Sequence, residues 1–128
     1  SLKSYYQRSM DLLKPEVWQD LFFTHGQIST KVKHEPPVRY LPGSKVSNSL
    51  IATGCTIEGT VENSILFRGV EVGAGVVIKD SIVMQKAKLG PGVTLRNVIL
   101  DKDVTITAGK SLAGDPSFPV VISKAAVV

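Results

Sequence analysis

A 17-residue repeat runs from Ile65 to Asp115, and a repeat this short confines the chain to stacked coils rather than one closed globule. Three segments align without gaps: ILFRGVEVGAGVVIKDS, IVMQKAKLGPGVTLRNV and ILDKDVTITAGKSLAGD. Ile65, Ile82 and Ile99 fall in one column; Gly75, Gly92 and Gly109 fall in another. A shorter copy, LIATGCTIEGTVENS, precedes them. Inside each repeat lies a finer lattice. Leu66, Val72, Ile78, Val83, Leu89, Leu95, Leu100, Ile106 and Leu112 are spaced 6, 6, 5, 6, 6, 5, 6, 6, and all are aliphatic. Two residues before them stand Ser64, Val70, Val76, Ser81, Ala87, Val93, Val98 and Val104, all small; Lys110 breaks the run where the repeats end.

Side chains two apart on a strand share a face. Each unit therefore turns one small and one aliphatic residue inward. Three units per coil close a narrow three-sided prism. Gly54, Gly69, Gly75, Gly92 and Gly109 each follow a lattice point by three residues. Those are the corners, where the chain needs a positive φ that glycine adopts freely. Asp103 takes one such corner without glycine, at modest cost. Large aromatics do not fit such an interior. Of the eight in the chain, only Phe67 lies between Leu50 and Asp115, one step off the lattice, so it should face outward. The expected fold is an all-β solenoid, a parallel β-helix of about four coils with a short helical segment before it.

The expected organisation is a helical segment and extended linker over 1–45, the β-helix over 46–115 and a cap over 116–128. Residues 2–13 read as a helix with an apolar face of Tyr5, Tyr6, Met10, Leu12 and Leu13, closed by Lys14-Pro15. Pro15 and Glu16 suit the first turn of a second short helix reaching Phe23. Residues 27–33 read as an extended link, stiffened after it by Pro36-Pro37. This start cannot bury Tyr5, Tyr6, Trp18, Phe22 and Phe23 alone; they need either the solenoid or a domain or subunit outside the chain. Pro116 and Pro119 stop a central strand. The apolar 120–128 then caps the last coil or adds an edge strand.

Composition narrows the function classes. The net charge of +4 arises mostly early, with seven Lys/Arg against four Asp/Glu in residues 1–48 and eight against seven thereafter. That mild balance, with no basic run interleaved with aromatics, argues against nucleic acid. No stretch is long and apolar enough for a membrane span and no signal peptide is legible. The expected setting is cytoplasmic. Cys55, the single cysteine, falls in the small inward column and reads as a buried thiol. Hexapeptide acyltransferases use a His as general base, and a zinc site needs several His ligands. Here His25 and His34 both precede the repeats. No nucleophile–base pair, metal site or phosphate loop is legible, so no catalytic, metal or cofactor residue is assigned. What remains is a set of outward cations: Arg68 beside a corner, Lys86 and Lys88, Arg96, Lys102, and Lys31, Lys33, His34 and Arg39 in the linker. Such cations suit sugar phosphates or other small anions.

The strings NSLIATGCTIEGTVENSILFRGVEVG and VILDKDVTI, with YYQRSMDLL upstream and PPVRY between, resemble the C-terminal part of bacterial ADP-glucose pyrophosphorylase (glucose-1-phosphate adenylyltransferase). The similarity is strongest to the D-type regulatory subunit of glycogen synthesis, which pairs with a catalytic subunit. It covers nearly the whole chain. The resemblance implies a left-handed parallel β-helix, an exception to the usual right-handed crossover. It also implies an upstream nucleotidyltransferase domain that makes ADP-glucose and pyrophosphate from ATP and glucose 1-phosphate. The partners it implies are that domain and other subunits of a homo- or hetero-tetramer, with a phosphorylated sugar as possible effector. The residues that match the family's effector cations are Arg68, Arg96 and Lys102. Gly69 and Asn97 stand where catalytic subunits carry further Arg, which thins the anion site and fits a role in assembly and modulation. Two other readings remain open: a hexapeptide acyltransferase lacking its usual His, and a free-standing scaffold solenoid.

Overall fold

The computed structural model describes residues 2–11 and 37–128. The second short helix, the extended link, His25, His34, Lys31 and Lys33 lie outside the described residues. Helix α1 (Leu2–Asp11) precedes the coils. The first coil holds β1 (Arg39–Tyr40), β2 (Lys45–Ser47) and β3 (Leu50–Ile51). The second holds β4 (Thr56–Ile57), β5 (Thr60–Glu62) and β6 (Ile65–Leu66). The third holds β7 (Glu71–Val72), β8 (Val77–Lys79) and β9 (Ile82–Val83), and the fourth β10 (Lys88–Leu89), β11 (Thr94–Arg96) and β12 (Val98–Leu100). The stack ends with β13 (Thr105–Ile106), β14 (Ser111–Ala113) and β15 (Val120–Ile122). Every third strand pairs in parallel, giving three five-stranded sheets: β1-β4-β7-β10-β13, β2-β5-β8-β11-β14 and β3-β6-β9-β12-β15. They are called here the first, second and third sheets. This is a parallel β-solenoid of about four turns, consistent with the left-handed β-helix that the family resemblance implies.

The lattice is the core. Leu66, Val72, Ile78, Val83, Leu89, Leu95, Leu100 and Ile106 are buried, as are all eight members of the small column. Leu112, in the last coil, is partly buried against them. Phe67 faces outward, 37% exposed. Strand pairing extends from Arg39 to Ile122, beyond 46–115 on both sides. Past Pro119 the chain rejoins the third sheet as its edge strand, β15, where a proline-free run can pair.

The sequence offset between stacked strands is 17 residues, for example Lys88 beneath Glu71, except at the last pair, where Val98 meets Val120 at an offset of 22, and between the first two coils at β2 and β3 and between β4 and β7. There Thr56 pairs with Glu71, an offset of 15. The two missing residues come from the corner between the first and second sheets. In the third coil Gly73-Ala74-Gly75-Val76 fills it; in the second only Glu58-Gly59 does. The shortened turn brings Gly59 against the coil beyond, so that a Cβ there would overlap the carbonyl oxygen of Val76. Glycine is required at 59 for space.

The corner between the second and third sheets uses no glycine until the last coil. Asn48, Asn63, Asp80 and Asn97 occupy it at φ 43°, 49°, 51° and 54°. These are the residue types that tolerate the left-handed region. A one-residue turn here explains the five-residue step in the lattice. Beside it, Ser49, Ser64 and Ser81 form a relay. Each hydroxyl donates to the carbonyl two residues before it at 2.8 Å, and accepts the backbone N–H of Ser64, Ser81 or Val98 in the next coil at 3.1–3.2 Å. Ser64 and Ser81 are thus buried with both capacities met, a reason beyond size for their place in the small column.

Outward residues distinguish the three faces. On the third sheet the register aligns Leu50, Ile65, Ile82, Ile99 and Val121 on the side away from the core. The isoleucine column is therefore an outer apolar stripe. Helix α1 lies on it: Tyr6, only 3% exposed, clusters with Ile82 and Ile99, with Met10 and Met84 packed around them. Of the two partners open to the helix, Tyr6 takes the solenoid. Its hydroxyl lies 2.5 Å from the Asp80 carbonyl oxygen and 2.9 Å from Asn97 Oδ1.

Two outcomes follow. Gly59→Ala should lower stability by about 1–3 kcal/mol, the usual range for overpacking, read as a lower urea midpoint. Burial first, and the charge of Asp80 second, push the Tyr6 phenol up to about 12. The folded value exceeds the ordinary one near ~10, so the contribution of Tyr6 is complete below about pH 10 and lost as pH rises towards 12. In a stability–pH series, Tyr6→Phe should flatten that alkaline decline relative to the parent chain.

Candidate functional site

The corner between the third and first sheets concentrates the cations. Its columns are fixed by backbone bonds: Gly69 N–H to Thr53 O at 3.2 Å, Lys86 N–H to Arg68 O at 2.9 Å, Asp103 N–H to Gln85 O at 3.0 Å and Ala125 N–H to Lys102 O at 2.9 Å. One column therefore reads Thr53, Arg68, Gln85, Lys102. The adjoining one reads Gly54, Gly69, Lys86, Asp103, Ala125, all at positive φ. Arg68 and Lys102 share a column two rungs apart, roughly 10 Å at the usual strand spacing. Lys86 stands between them in the next column.

Lys86 occupies its corner at φ 62°, where Gly54 and Gly69 occupy the same column. A lysine there costs about 1–2 kcal/mol in a position that glycine fills without strain. A shallow cavity of about 350 Å³ opens beside it, lined by Gly69, Glu71, Lys86, Lys88, Asp103 and Thr105. Lys88 lies on the outer face of the first sheet, in register between Glu71 and Thr105. The cavity thus pairs two ammonium groups with two carboxylates and a hydroxyl, a lining suited to a polar anion that also offers hydroxyl groups.

A larger cavity, about 880 Å³, adjoins the first two coils between Tyr40, Val46, Leu50, Ile51, Phe67 and Arg68. It is mostly apolar, so size and charge favour different places. Arg68 borders this one, and the two lysine ammonium groups line the smaller.

Of the three cations matched by family resemblance, two meet and one does not. Arg68 and Lys102 reach the same corner. Arg96 projects from β11 on the second sheet, in register with Lys79. Lys79 in turn pairs with Glu62 at 3.7 Å, an exposed contact of small energetic weight. Sequence spacing could not separate them, because adjacent columns can lie on different faces of the prism. Asn97 is not an open surface position: it is 7% exposed, accepts from Tyr6 and lies 3.5 Å from the Gly114 carbonyl through Nδ2. Its amide serves the corner. Lys86 and Lys88 carry the cavity; the signal for Lys86 was a lysine in a glycine column.

The remaining reactive groups are structural. Cys55 is fully buried, and its thiol lies 3.1 Å from the Phe67 carbonyl oxygen. Burial pushes it up despite the opposing hydrogen bonds, so the thiolate is disfavoured. Among the described residues no cluster of His, Cys, Asp and Glu could hold a metal ion, and no helix is long and apolar enough to cross a membrane.

Three parallel sheets wound from hexapeptide units define a hexapeptide-repeat solenoid. Residues 37–118 match the family described as GlmU-like, C-terminal hexapeptide, and the chain belongs to that family. It is 54% identical over 127 residues to the glycogen biosynthesis protein GlgD of Bacillus subtilis, covering 99% of this chain and 37% of that protein. To GlgD of Geobacillus stearothermophilus it is 54% identical over 70 residues, 55% of this chain and 20% of that one. To the glucose-1-phosphate adenylyltransferase of the same organism it is 42% identical over 79 residues, 62% of this chain and 20% of the enzyme. The chain thus spans little more than a third of the longest-matching of these relatives.

Lys86→Gly should raise stability by about 1 kcal/mol by relieving the left-handed lysine, measured as a higher thermal midpoint. The same variant should weaken phosphate binding at this corner, read by NMR shift perturbation of the Gly69 and Asp103 amides.

Proposed function

We propose that this chain is the assembly and effector-responsive β-helix region of a glycogen-biosynthesis protein of the glucose-1-phosphate adenylyltransferase type, akin to the D-type subunit. The observation that carries the reading is the 54% identity to GlgD across 99% of the chain. The 42% identity to a glucose-1-phosphate adenylyltransferase supports it from the enzyme's side. Transfer of the adenylyl group of ATP to glucose 1-phosphate then belongs to a nucleotidyltransferase domain elsewhere in the longer protein, acting in the cytoplasm. The β-helix contributes contacts to that domain and to neighbouring subunits of a tetramer, homo- or heteromeric.

Its regulatory part is the corner of Arg68, Lys86 and Lys102. Fixed cations on a rigid coil bind a phosphorylated metabolite without first ordering a loop, which keeps the entropic cost of binding low. A free phosphate group and its sugar hydroxyls match the mixed lining of the cavity at Glu71, Lys88, Asp103 and Thr105. At this corner Gly69 stands where the resemblance implies a further Arg in catalytic subunits, which fits modulation better than strong activation; Asn97, buried on another corner, has no part in it.

The test uses the full-length protein assembled with its adenylyltransferase partner. Paired reversal, Arg68→Glu with Lys102→Glu, should raise the concentration of phosphorylated effector needed for half-maximal response by about tenfold, the scale of one lost charge-assisted contact. Arg96→Glu, on another face, should leave that concentration where it was. Equal shifts from both changes, or none from the paired reversal, would count against this corner as the effector site. Failure of the parent protein to co-purify with any adenylyltransferase subunit would remove the assembly reading itself.

A further inference from the structure

The corner column of Asn48, Asn63, Asp80 and Asn97 is a side-chain ladder with a break in it. Asn48 Nδ2 donates to Asn63 Oδ1 at 2.8 Å, and Asn63 Nδ2 donates to Asp80 Oδ1 at 2.6 Å. The next rung would be a donor at position 80 reaching Asn97 Oδ1. Asp80 has none, since an ionised carboxylate only accepts. Asn97 directs its own Nδ2 onward to the Gly114 carbonyl. The step between positions 80 and 97 is therefore all acceptors: the Asp80 carboxylate, the Asp80 carbonyl oxygen and Asn97 Oδ1. One hydroxyl is shared by two of them. Tyr6 points its O–H there, 2.5 Å from the carbonyl and 2.9 Å from Asn97 Oδ1.

We propose that the step between Asp80 and Asn97 is a binding site for a phenolic hydroxyl, created by the missing amide donor at position 80, and that it fixes where helix α1 docks on the solenoid. The apolar stripe alone does not choose a position. Leu50 and Ile65 continue it on one side of the Ile82–Ile99 pair that Tyr6 meets, and Val121 continues it on the other. Apolar contact is non-directional, so a helix resting on a uniform stripe could slide by one rung. The interrupted ladder supplies the direction. Its other junctions, from Asn48 to Asn63 and from Asn63 to Asp80, are closed by their own amides, so a phenol has less to gain there. The ring of Tyr6 meets Ile82 and Ile99, the outer residues of the two coils that meet at this step. Ring and hydroxyl thus read the same rung.

Asp80→Asn tests this directly, because it places in the column the residue type already found at 48, 63 and 97. The new amide would close the ladder onto Asn97 Oδ1 and compete with the phenol. Native-state hydrogen exchange of the α1 amides is measured in the whole chain for Asp80→Asn, Tyr6→Phe and the double variant, with the thermal midpoint of the coils followed in parallel. The expected result is a fall of about fivefold in α1 protection for each single variant, the scale of one neutral hydrogen bond. The double variant should fall no further than Tyr6→Phe alone, and the coils of Asp80→Asn should melt no lower than those of the parent chain. Unchanged α1 protection in Asp80→Asn overturns the proposal. So do independent losses that multiply in the double variant, or a coil midpoint that drops with helix protection intact, either of which makes Asp80 a support of the coils rather than of the docked helix.

Discussion

Every coil hydrogen-bonds to the coils above and below it, and nearly all else in this structure follows from the register those bonds impose. With a 17-residue offset, each position meets its equivalents directly. A side chain accepted in one coil is then tested against the same column in the next. Aliphatic residues stack on aliphatic residues through a prism too narrow for aromatics. The small column leaves room for them, and at Ser64 and Ser81 it also carries hydrogen bonds from coil to coil. Where the chain drops two residues, at Glu58-Gly59, the register survives because the loss falls entirely in one corner and glycine permits the closer approach.

The same register sorts function by face. The second sheet presents polar and charged residues with Arg96 among them. The first presents Glu71, Lys88 and Thr105. The third presents branched aliphatics, and helix α1 covers part of them. Three corners likewise use three solutions to the left-handed turn: glycine, a ladder of Asn and Asp, and a mixed column in which lysine and aspartate replace glycine. The mixed corner is where backbone strain, cations and a cavity coincide. A strained lysine persists only where the surrounding coils hold it, and such positions often mark function.

Much of this was legible in the chain. The inward lattice, the small column and the glycine corners all came from spacing, because a solenoid repeats its geometry and so repeats its sequence. The isoleucine column was visible too, and one step off the lattice it turns outward by the rule that turns Phe67 outward. That helix α1 covers part of it was not visible, because nothing in the coils' own sequence names their cover. The Asn and Asp corner was missed although its residues keep the coil spacing of 15, 17 and 17, because Asn and Asp mark loops as readily as turns. Arg68 and Lys102 were identified with Arg96 as one set; the prism separates them, since which of three faces a position occupies depends on where each corner turns.

Sequence alone determined that the chain coils, how many residues make a coil and which side chains fill it. Those properties are periodic and local, and they follow from strand alternation and from the steric limits of positive φ. The tertiary structure decided which columns share a face, that Tyr6 lies on coils 74 and 91 residues away along the chain, and that Lys86 stands between Arg68 and Lys102 beside a cavity. These depend on closing three corners and stacking them, and the distances that result between columns are written in no single segment.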